Sequence, residues 1–334
     1  MEQREELPNI GLRWVDYSQD WKQDTISQAI PRRYVPNGKQ KRQRDHVRNS
    51  LDEATHLIRY RNFTIRDYEI LHTLATIGIM STNQIHRLYW PNSQSSVVVT
   101  NRLAKLFYRH VLDQTPDCRP YLRQIGLAPG IVYTLGKVGA AALYLEHGVN
   151  RGALKERKRY QIGRGASLLF HDLMVAEFYI RLQLALKPLK ATVGWYSEEL
   201  GNVVETGGRE LVRPDGTATV IIGEQTTSYA LEVDRAGTQW DEKLRAYESA
   251  WDRQRWNRVE SETPYLDGIL VVVIDSIYPA VKNFLLENRR HTDIYLKSWT
   301  EFIQTSIDMD WFSITDGPTV MSLPGLEKLA ALRS

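Results

Sequence analysis

The sequence predicts an α+β protein in two parts, a helical first half and a second half that mixes strands with helices. Apolar residues recur at helical spacing from residue 64 to about residue 110, whereas short apolar runs between turn signals dominate after residue 166. The charge divides at the same place. Residues 1–165 hold 26 Lys and Arg against 15 Asp and Glu, and residues 166–334 hold 17 against 25. We therefore expect a basic half that meets a polyanion and an acidic half with another task.

The composition excludes several classes of protein. The 334 residues are 42% hydrophobic and 25% charged, which is typical of a globular protein. The single cysteine, Cys118, excludes a disulfide framework and a zinc site built from several thiolates. No apolar run approaches the ~20 residues that span a bilayer, and the first residues lack the pattern of a signal peptide. We expect a cytoplasmic protein without membrane contact.

Residues 1–62 are predicted to form an irregular, basic N-terminal arm. Pro31 and Pro36 interrupt any long helix there. Residues 32–48 carry seven Lys and Arg with Asp45 as their one acid. Such a tract is either an arm that lies on phosphates or a solvated tail.

Two helices are predicted next. Thr64 is a suitable N-cap for the first, and Gly78 stands where glycine commonly ends a helix. Ser81 and Gln84 have the spacing of a capping box for the second, which stops before Pro91.

A third helix is predicted to begin near Ser93 or Ser95. Its inward-facing residues are expected to be Val98, Val99, Leu103, Leu106 and Phe107. Two short strands follow at residues 111–114 and 131–135, joined by a stretch that contains Pro, Arg and Gly. Three helices followed by a β-hairpin are the plan of a winged helix-turn-helix, with a further helix packed beneath.

This plan predicts a domain over residues 63–148 that binds double-stranded DNA, followed by a basic linker over residues 149–165. In such a domain the third helix enters the major groove and the hairpin reaches the backbone or the minor groove. The candidate DNA-binding residues are Thr100, Asn101, Arg102, Lys105, Arg109, Arg119 and Arg123. The alternative is a winged helix that contacts protein.

The second half reads as helix, three strands, helix and strand, over a domain at residues 166–305 with a C-terminal tail at 306–334. Acids stand at particular places in that αβββαβ order. Asp215 begins the second strand, and Glu232 and Asp234 share one face of the third. If those strands are neighbours, Asp215 and Glu232 lie side by side and suit Mg²⁺ or Mn²⁺. Such a metal would activate water and neutralise charge on a phosphate.

The segments R-P-D-G and E-V-D resemble the PD-(D/E)XK nuclease superfamily, whose core has this order. The resemblance implies a restriction-endonuclease-like fold with Asp215 and Glu232 as metal-binding catalytic acids. Asp234 stands where the superfamily has lysine and would assist the two acids in catalysis. Lys243 on the next helix would supply the missing cation, which steadies the attacking water or the scissile phosphate. An outer carboxylate would come from Asp172 or Glu177, and His171 is read as a core residue bonded to backbone or carboxylate. The alternative is a plain turn and a structural acid pair that Lys243, Arg235 or Arg245 satisfies.

The chain also resembles the replication-relaxation family of plasmids and integrative elements. The matching segments are T-I-R-D-Y-E-I-L at 64–71, N-R-L-A-K-L at 101–106, Y-T-L-G-K-V-G at 133–139, F-H-D-L at 170–173 and L-E-V-D-R-A-G-T at 231–238. The resemblance implies a role in replication or relaxation of DNA on a mobile genetic element. No part of the sequence has the tyrosine and histidine pattern of a relaxase or a P-loop, so we expect neither nicking by tyrosine nor ATP hydrolysis.

Three hypotheses follow from the sequence. In the first, the winged helix locates DNA and the nuclease-like domain cuts or holds it. In the second, the protein is a non-catalytic regulator or replication accessory with a degenerate nuclease-like domain, which binds a palindromic or repeated site if it is a homodimer. In the third, it is an adaptor that recruits replication, transfer or transposition proteins of the same element.

Overall fold

Ten α-helices and three sheets make up the part of the chain that this computed structural model describes, which confirms the α+β class. The described residues are 15–16, 49–115, 119–149, 166–197, 203–204, 210–235, 238–252, 266–288, 293–315, 319–326 and 329. The basic tract at 32–48 and nearly all of the predicted linker lie outside them.

The helices, numbered along the chain, are α1 Ser50–Arg59, α2 Ile65–Ile77, α3 Thr82–Tyr89, α4 Ser96–Tyr108, α5 Arg119–Gln124, α6 Lys137–His147, α7 Ala166–Leu186, α8 Trp240–Asp252, α9 Tyr278–Glu287 and α10 Trp299–Gln304. The strands are β1 Val15–Asp16, β2 Ile79–Ser81, β3 Leu112–Gln114, β4 Val132–Leu135, β5 Thr192–Ser197, β6 Val203–Val204, β7 Glu210–Val212, β8 Gly216–Ile222, β9 Gln225–Asp234, β10 Gly268–Val273, β11 Ile294–Ser298, β12 Trp311–Ser313 and β13 Thr319–Met321. Among the described helices, none combines the length and the apolarity that a bilayer crossing requires.

Local signals place the helices of the first half. Thr64 caps α2, and Gly78 ends it with φ of 83°, a conformation that a side chain would strain. Ser81 and Gln84 cap α3 reciprocally, and the Ser95 side chain accepts the Val97 N–H at the start of α4. The predicted starts of all three helices are confirmed.

A three-stranded antiparallel sheet of order β2-β4-β3 closes the first half. The sequence reading missed β2, which is only three residues long. It also predicted no element in the connection between β3 and β4, which contains α5. The carbonyl just after α5, at Ile125, accepts a 2.8 Å hydrogen bond from Trp299 Nε1 in the second half. The connection therefore packs against the second half.

An eight-stranded sheet of order β1-β5-β8-β9-β10-β11-β12-β13 organises the second half. β8 and β9 are antiparallel, whereas β9, β10 and β11 run parallel. Side chains of β10 alternate between two apolar clusters. Leu270 and Val272 pack in the cluster that includes α7, and Ile269 and Val271 pack with α8 and α9. The prediction of a strand buried on both faces is thus confirmed.

The two halves share one apolar cluster. It contains Leu71 and Leu103 from the first half together with Phe178 and Val193 from the second. Glu177 on α7 is fully buried and accepts hydrogen bonds from Gln84 Nε2 at 3.1 Å and from Arg87 Nη1 at 2.8 Å, both on α3. Of the two candidates for an outer carboxylate, Asp172 and Glu177, Glu177 has both oxygens bonded to α3.

Both ends of the chain carry strands or helices that the sequence did not predict. The arm at 1–62 was expected to be irregular, but α1 forms there with Asn49 as its N-cap, and β1 pairs with β5. At the other end, β12 and β13 extend the sheet beyond β11. Leu323, Leu326 and Leu329 are buried against the core, so these C-terminal residues dock on the body.

Candidate functional site

The predicted acids meet where β8 begins and β9 ends. The Asp215 N–H donates to the Leu231 carbonyl at 3.0 Å, and Asp215 Oδ2 accepts the Val233 N–H at 2.7 Å. Asp215 therefore lies beside Glu232, which stands between those two residues. A Cβ on Gly216 would come within 2.3 Å of the Trp195 ring, so packing requires the glycine of R-P-D-G.

Asp215 has a histidine partner from α7. His171 Nε2 lies 3.0 Å from Asp215 Oδ2, and His171 Nδ1 lies 3.5 Å from Asp172 Oδ1. Burial alone would lower the pKa of His171, but hydrogen bonds and charges from Asp172 and Asp215 raise it to about 10. Burial would likewise raise the pKa of Asp215, but His171, Lys243 and the Val233 N–H lower it. The imidazolium and the carboxylate are thus an ion pair at neutral pH, in which His171 carries its proton and cannot act as a base.

Glu232 is bonded to two side chains of α8. Lys243 Nζ donates to Glu232 Oε2, and the Tyr247 hydroxyl donates to Glu232 Oε1. Burial and the charge of Asp215 raise the pKa of Glu232 to about 8 against those bonds. Burial and Glu232 hold the pKa of Tyr247 well above its ordinary value, so Tyr247 is a donor and not an activated nucleophile.

Asp234 faces the start of α8. Its Oδ2 accepts a 2.6 Å hydrogen bond from Trp240 Nε1, and its Oδ1 accepts the Thr238 N–H at 3.4 Å. The Asp234 side chain is 2% exposed. In this arrangement Asp234 fixes the entry of the chain into α8.

The carboxylates in this arrangement do not fit a divalent cation. Both oxygens of Glu232 are held by Lys243 and Tyr247, and Asp215 Oδ2 is held by His171 and a backbone N–H. Mg²⁺ needs carboxylate oxygens with lone pairs directed at the ion and room for several waters. Within the described ranges, no group of three or more His, Cys, Asp or Glu side chains is arranged to hold a metal.

The candidate DNA-binding residues divide by exposure. Thr100, Asn101 and Lys105 are exposed on one side of α4, whereas Arg109 is half-buried at its C-cap. Arg119 and Arg123 are exposed on α5. Val99, Leu103 and Leu106 face inward as predicted, but Val98 does not, because its side chain is 56% exposed.

Arg102 has an internal partner. Its Nε donates to Asp67 Oδ1 at 2.8 Å, its Nη2 donates to Asp67 Oδ2, and Nη2 also donates to the Asn62 carbonyl at 2.8 Å. Asp67 is fully buried. The role of Arg102 at DNA stays a prediction, but its guanidinium is already bonded within the protein.

Sequence reasoning missed three residues of these sites. Gln84 was recognised only as a cap, and Arg87 was not recognised at all, although both reach Glu177 across the two halves. Tyr247 was assigned no role. Its signal was available, because Lys243 and Tyr247 are four apart on a helix and so share a face.

The sequence was compared with models of protein families. The family model described as replication-relaxation matches residues 71–266, which is more than half of the chain. The chain belongs to the replication-relaxation family. No curated protein and no solved structure matches it.

The match in this replication-relaxation protein covers α4, α7 and both acid-bearing strands. Membership fits a role in replication or on a mobile genetic element.

Proposed function

We propose that this replication-relaxation protein binds double-stranded DNA through its first half and acts as a non-catalytic accessory in replication or DNA processing of a plasmid or other mobile element. The observation that carries the proposal is the solvent-facing side of α4. It presents Thr100, Asn101 and Lys105 on a stretch of chain that lacks acidic residues.

The order of elements supports this reading. The first half runs α2, β2, α3, α4, β3, β4, and its sheet has the order β2-β4-β3. A winged helix-turn-helix has this succession, and α4 takes the place of the helix that enters the major groove. The connection that contains α5 takes the place of the wing, with Arg119 and Arg123 on its surface.

The charge of the same surface supports a polyanionic partner. Residues 82–112 contain no Asp or Glu. Arg87 and Arg102 are paired with Glu177 and Asp67, so Lys105 and Arg109 are the remaining Lys and Arg of the stretch. Because these 31 residues contain no acid, no side chain of the stretch repels an acidic partner. Contacts of Lys and Arg with phosphates release counterions and supply most of the sequence-independent affinity for DNA.

The second half is proposed to be a nuclease-like scaffold that holds DNA or a partner without cutting. The succession α7, β5, β8, β9, α8, β10 has the αβββαβ order of a PD-(D/E)XK core. The internal partners of Asp215, Glu232 and Asp234 support a structural role for the acids. A fully bonded buried network fixes the arrangement of the strands and helices that supply its members.

Metal-dependent cleavage is the competing function. The observation that favours it is the meeting of Asp215, Glu232 and Lys243 at one place on the sheet. It requires Lys243 and Tyr247 to release Glu232 before Mg²⁺ or Mn²⁺ could bind.

Gel shifts with the full chain test the binding proposal. The wild-type protein is expected to bind duplex DNA with an affinity that falls as salt rises. Lys105→Ala should bind more weakly and lower the slope of log affinity against log salt by about 0.9, since one phosphate contact is lost. Lys187→Ala is the matched control, because Lys187 is an exposed lysine of the second half, and it should bind like wild type. An affinity that does not depend on salt would contradict the proposal.

A cleavage assay on supercoiled plasmid separates the two functions. With Mg²⁺, Mn²⁺ or EDTA we expect no nicked or linear product. Metal-dependent cutting by the wild-type protein that Asp215→Asn abolishes, with binding retained, would replace the non-catalytic proposal with a nuclease.

A further inference from the structure

Two neighbouring valines are exposed on the first turn of α4. Val97 is 61% exposed and Val98 is 56% exposed, whereas Val99 is fully buried. A single exposed apolar side chain needs no explanation, but an adjacent pair does when the other exposed residues of α4 are Ser, Thr, Asn and Lys. Packing within the protein does not explain the pair, because Val99 is the one of the three valines that faces the core.

The valines belong to the same side of α4 as the polar candidates. Val97 and Asn101 are four residues apart, as are Asn101 and Lys105, and residues at that spacing lie one above the other on a helix. The exposed side of α4 thus presents two valines, then Asn101, then Lys105. Val98 is three residues before Asn101 and four before Arg102, whose guanidinium is bonded to Asp67.

The major groove of DNA offers a matching set of groups. Thymine carries a C5-methyl group on the groove floor, and it is the apolar group displayed there. Adenine presents N7 and N6, which together fit an asparagine side chain. Apolar contact and an amide one helical turn apart therefore suit neighbouring A·T pairs.

We propose that Val97 and Val98 contact thymine methyl groups and that Asn101 contacts an adjacent adenine, so that the target is a duplex site containing A·T pairs. This inference rests on the proposed DNA binding and adds its specificity. The absence of acids from residues 82–112 argues for DNA as the occupant, because Lys105 and Arg109 attract a polyanion, whereas Arg87 and Arg102 are already paired with Glu177 and Asp67.

The experiment begins with selection of a binding site by the full-length protein from a random duplex library. Every dT of the selected site is then replaced by dU, which keeps base pairing and removes the methyl group. At one fixed salt concentration, wild type should lose affinity by about fourfold for each methyl group that a valine covers. The double variant Val97→Ala, Val98→Ala should bind the dT and dU duplexes equally.

Two controls accompany the valine variant. Val320→Ala changes a valine that is 65% exposed on β13 and should keep the wild-type preference for dT. Asn101→Ala should lose its response to 7-deazaadenine, which lacks the N7 acceptor. Since Val97, Val98 and Asn101 are exposed, circular dichroism should show all variants folded.

The outcomes separate the inference from the proposed function. Equal binding of dT and dU duplexes by wild type overturns the inference and leaves DNA binding intact. A preference for dT that persists in the valine variant overturns the assignment to Val97 and Val98. No binding to any duplex overturns both the inference and the proposed function.

Discussion

Replacing Arg102 by leucine should lower the stability of the fold, because Arg102 is bonded within the protein. The change removes three hydrogen-bond donors from Asp67 and the Asn62 carbonyl and leaves the Asp67 carboxylate buried. The side chain of Asp67 is 1% exposed and that of Arg102 is 19% exposed, so water cannot fully replace the guanidinium.

The size of the effect follows from the geometry. Removing one partner of a buried ion pair costs about 3–5 kcal/mol. Asp67 keeps two bonds from Thr64, whose N–H and hydroxyl donate at 2.7 and 2.8 Å. We therefore expect the lower end, about 3 kcal/mol.

Urea unfolding followed by tryptophan fluorescence measures the loss. A loss of that size should lower the midpoint by up to about 1 M, since the urea m-value of a chain this long is at least about 3 kcal/mol/M. Adding Asp67→Asn removes the orphaned charge, so the double variant should recover part of the loss. Lys105→Ala on the exposed side of α4 is the control and should stay within about 0.5 kcal/mol of wild type. An Arg102→Leu protein with wild-type stability and lost DNA binding would refute the structural role of Arg102 and make it a DNA contact.

Three further predictions concern the second half and its junction with the first. His171 carries a folded pKa of about 10 against an ordinary 6.5, so its stabilisation is complete below pH 6.5 and is lost as pH rises toward 10. The melting temperature of wild type should therefore fall more steeply over that pH interval than the melting temperature of His171→Gln. Parallel curves of melting temperature against pH would contradict the pairing. Glu177→Ala leaves Gln84 and Arg87 without their buried acceptor, which should cost about 3 kcal/mol in urea unfolding and speed proteolysis between the halves; unchanged stability and digestion would show that Glu177 does not join them. Tyr247→Phe removes one bond to buried Glu232 and should cost about 1–2 kcal/mol in the same assay, and a gain in stability would point to a strained site.

The family match and the structure together favour the second of the three hypotheses, the proposed non-catalytic accessory. The family match fits a replication or mobile-element role. The internal bonds of Glu232 and Asp234 support the proposed accessory that binds without cutting. In that proposal the exposed side of α4 is the surface for DNA, and its two valines would give the surface a preference.

Much of the fold was predictable because its signals are local. The caps at Thr64, Ser81 and Ser95 lie within a few residues of the backbone N–H groups that they satisfy, so spacing alone reveals them. The placement of Asp215 beside Glu232 also followed from two consecutive strands with a short turn. The short strand β2 and helix α5 were missed, because three and six residues carry too little periodicity to distinguish them from a loop.

The sequence by itself determined where α2, α3 and α4 begin, which strand is buried on both faces and which acids share an edge of the sheet. The tertiary structure alone decided the partners of the charged groups. Arg102 finds Asp67 across 35 residues, Gln84 finds Glu177 across 93, and Trp299 finds the Ile125 carbonyl across 174. Periodicity extends over one helix or strand and fixes the face on which a side chain lies. It cannot determine which distant group packs against that face, because the partner is set by how the elements pack together.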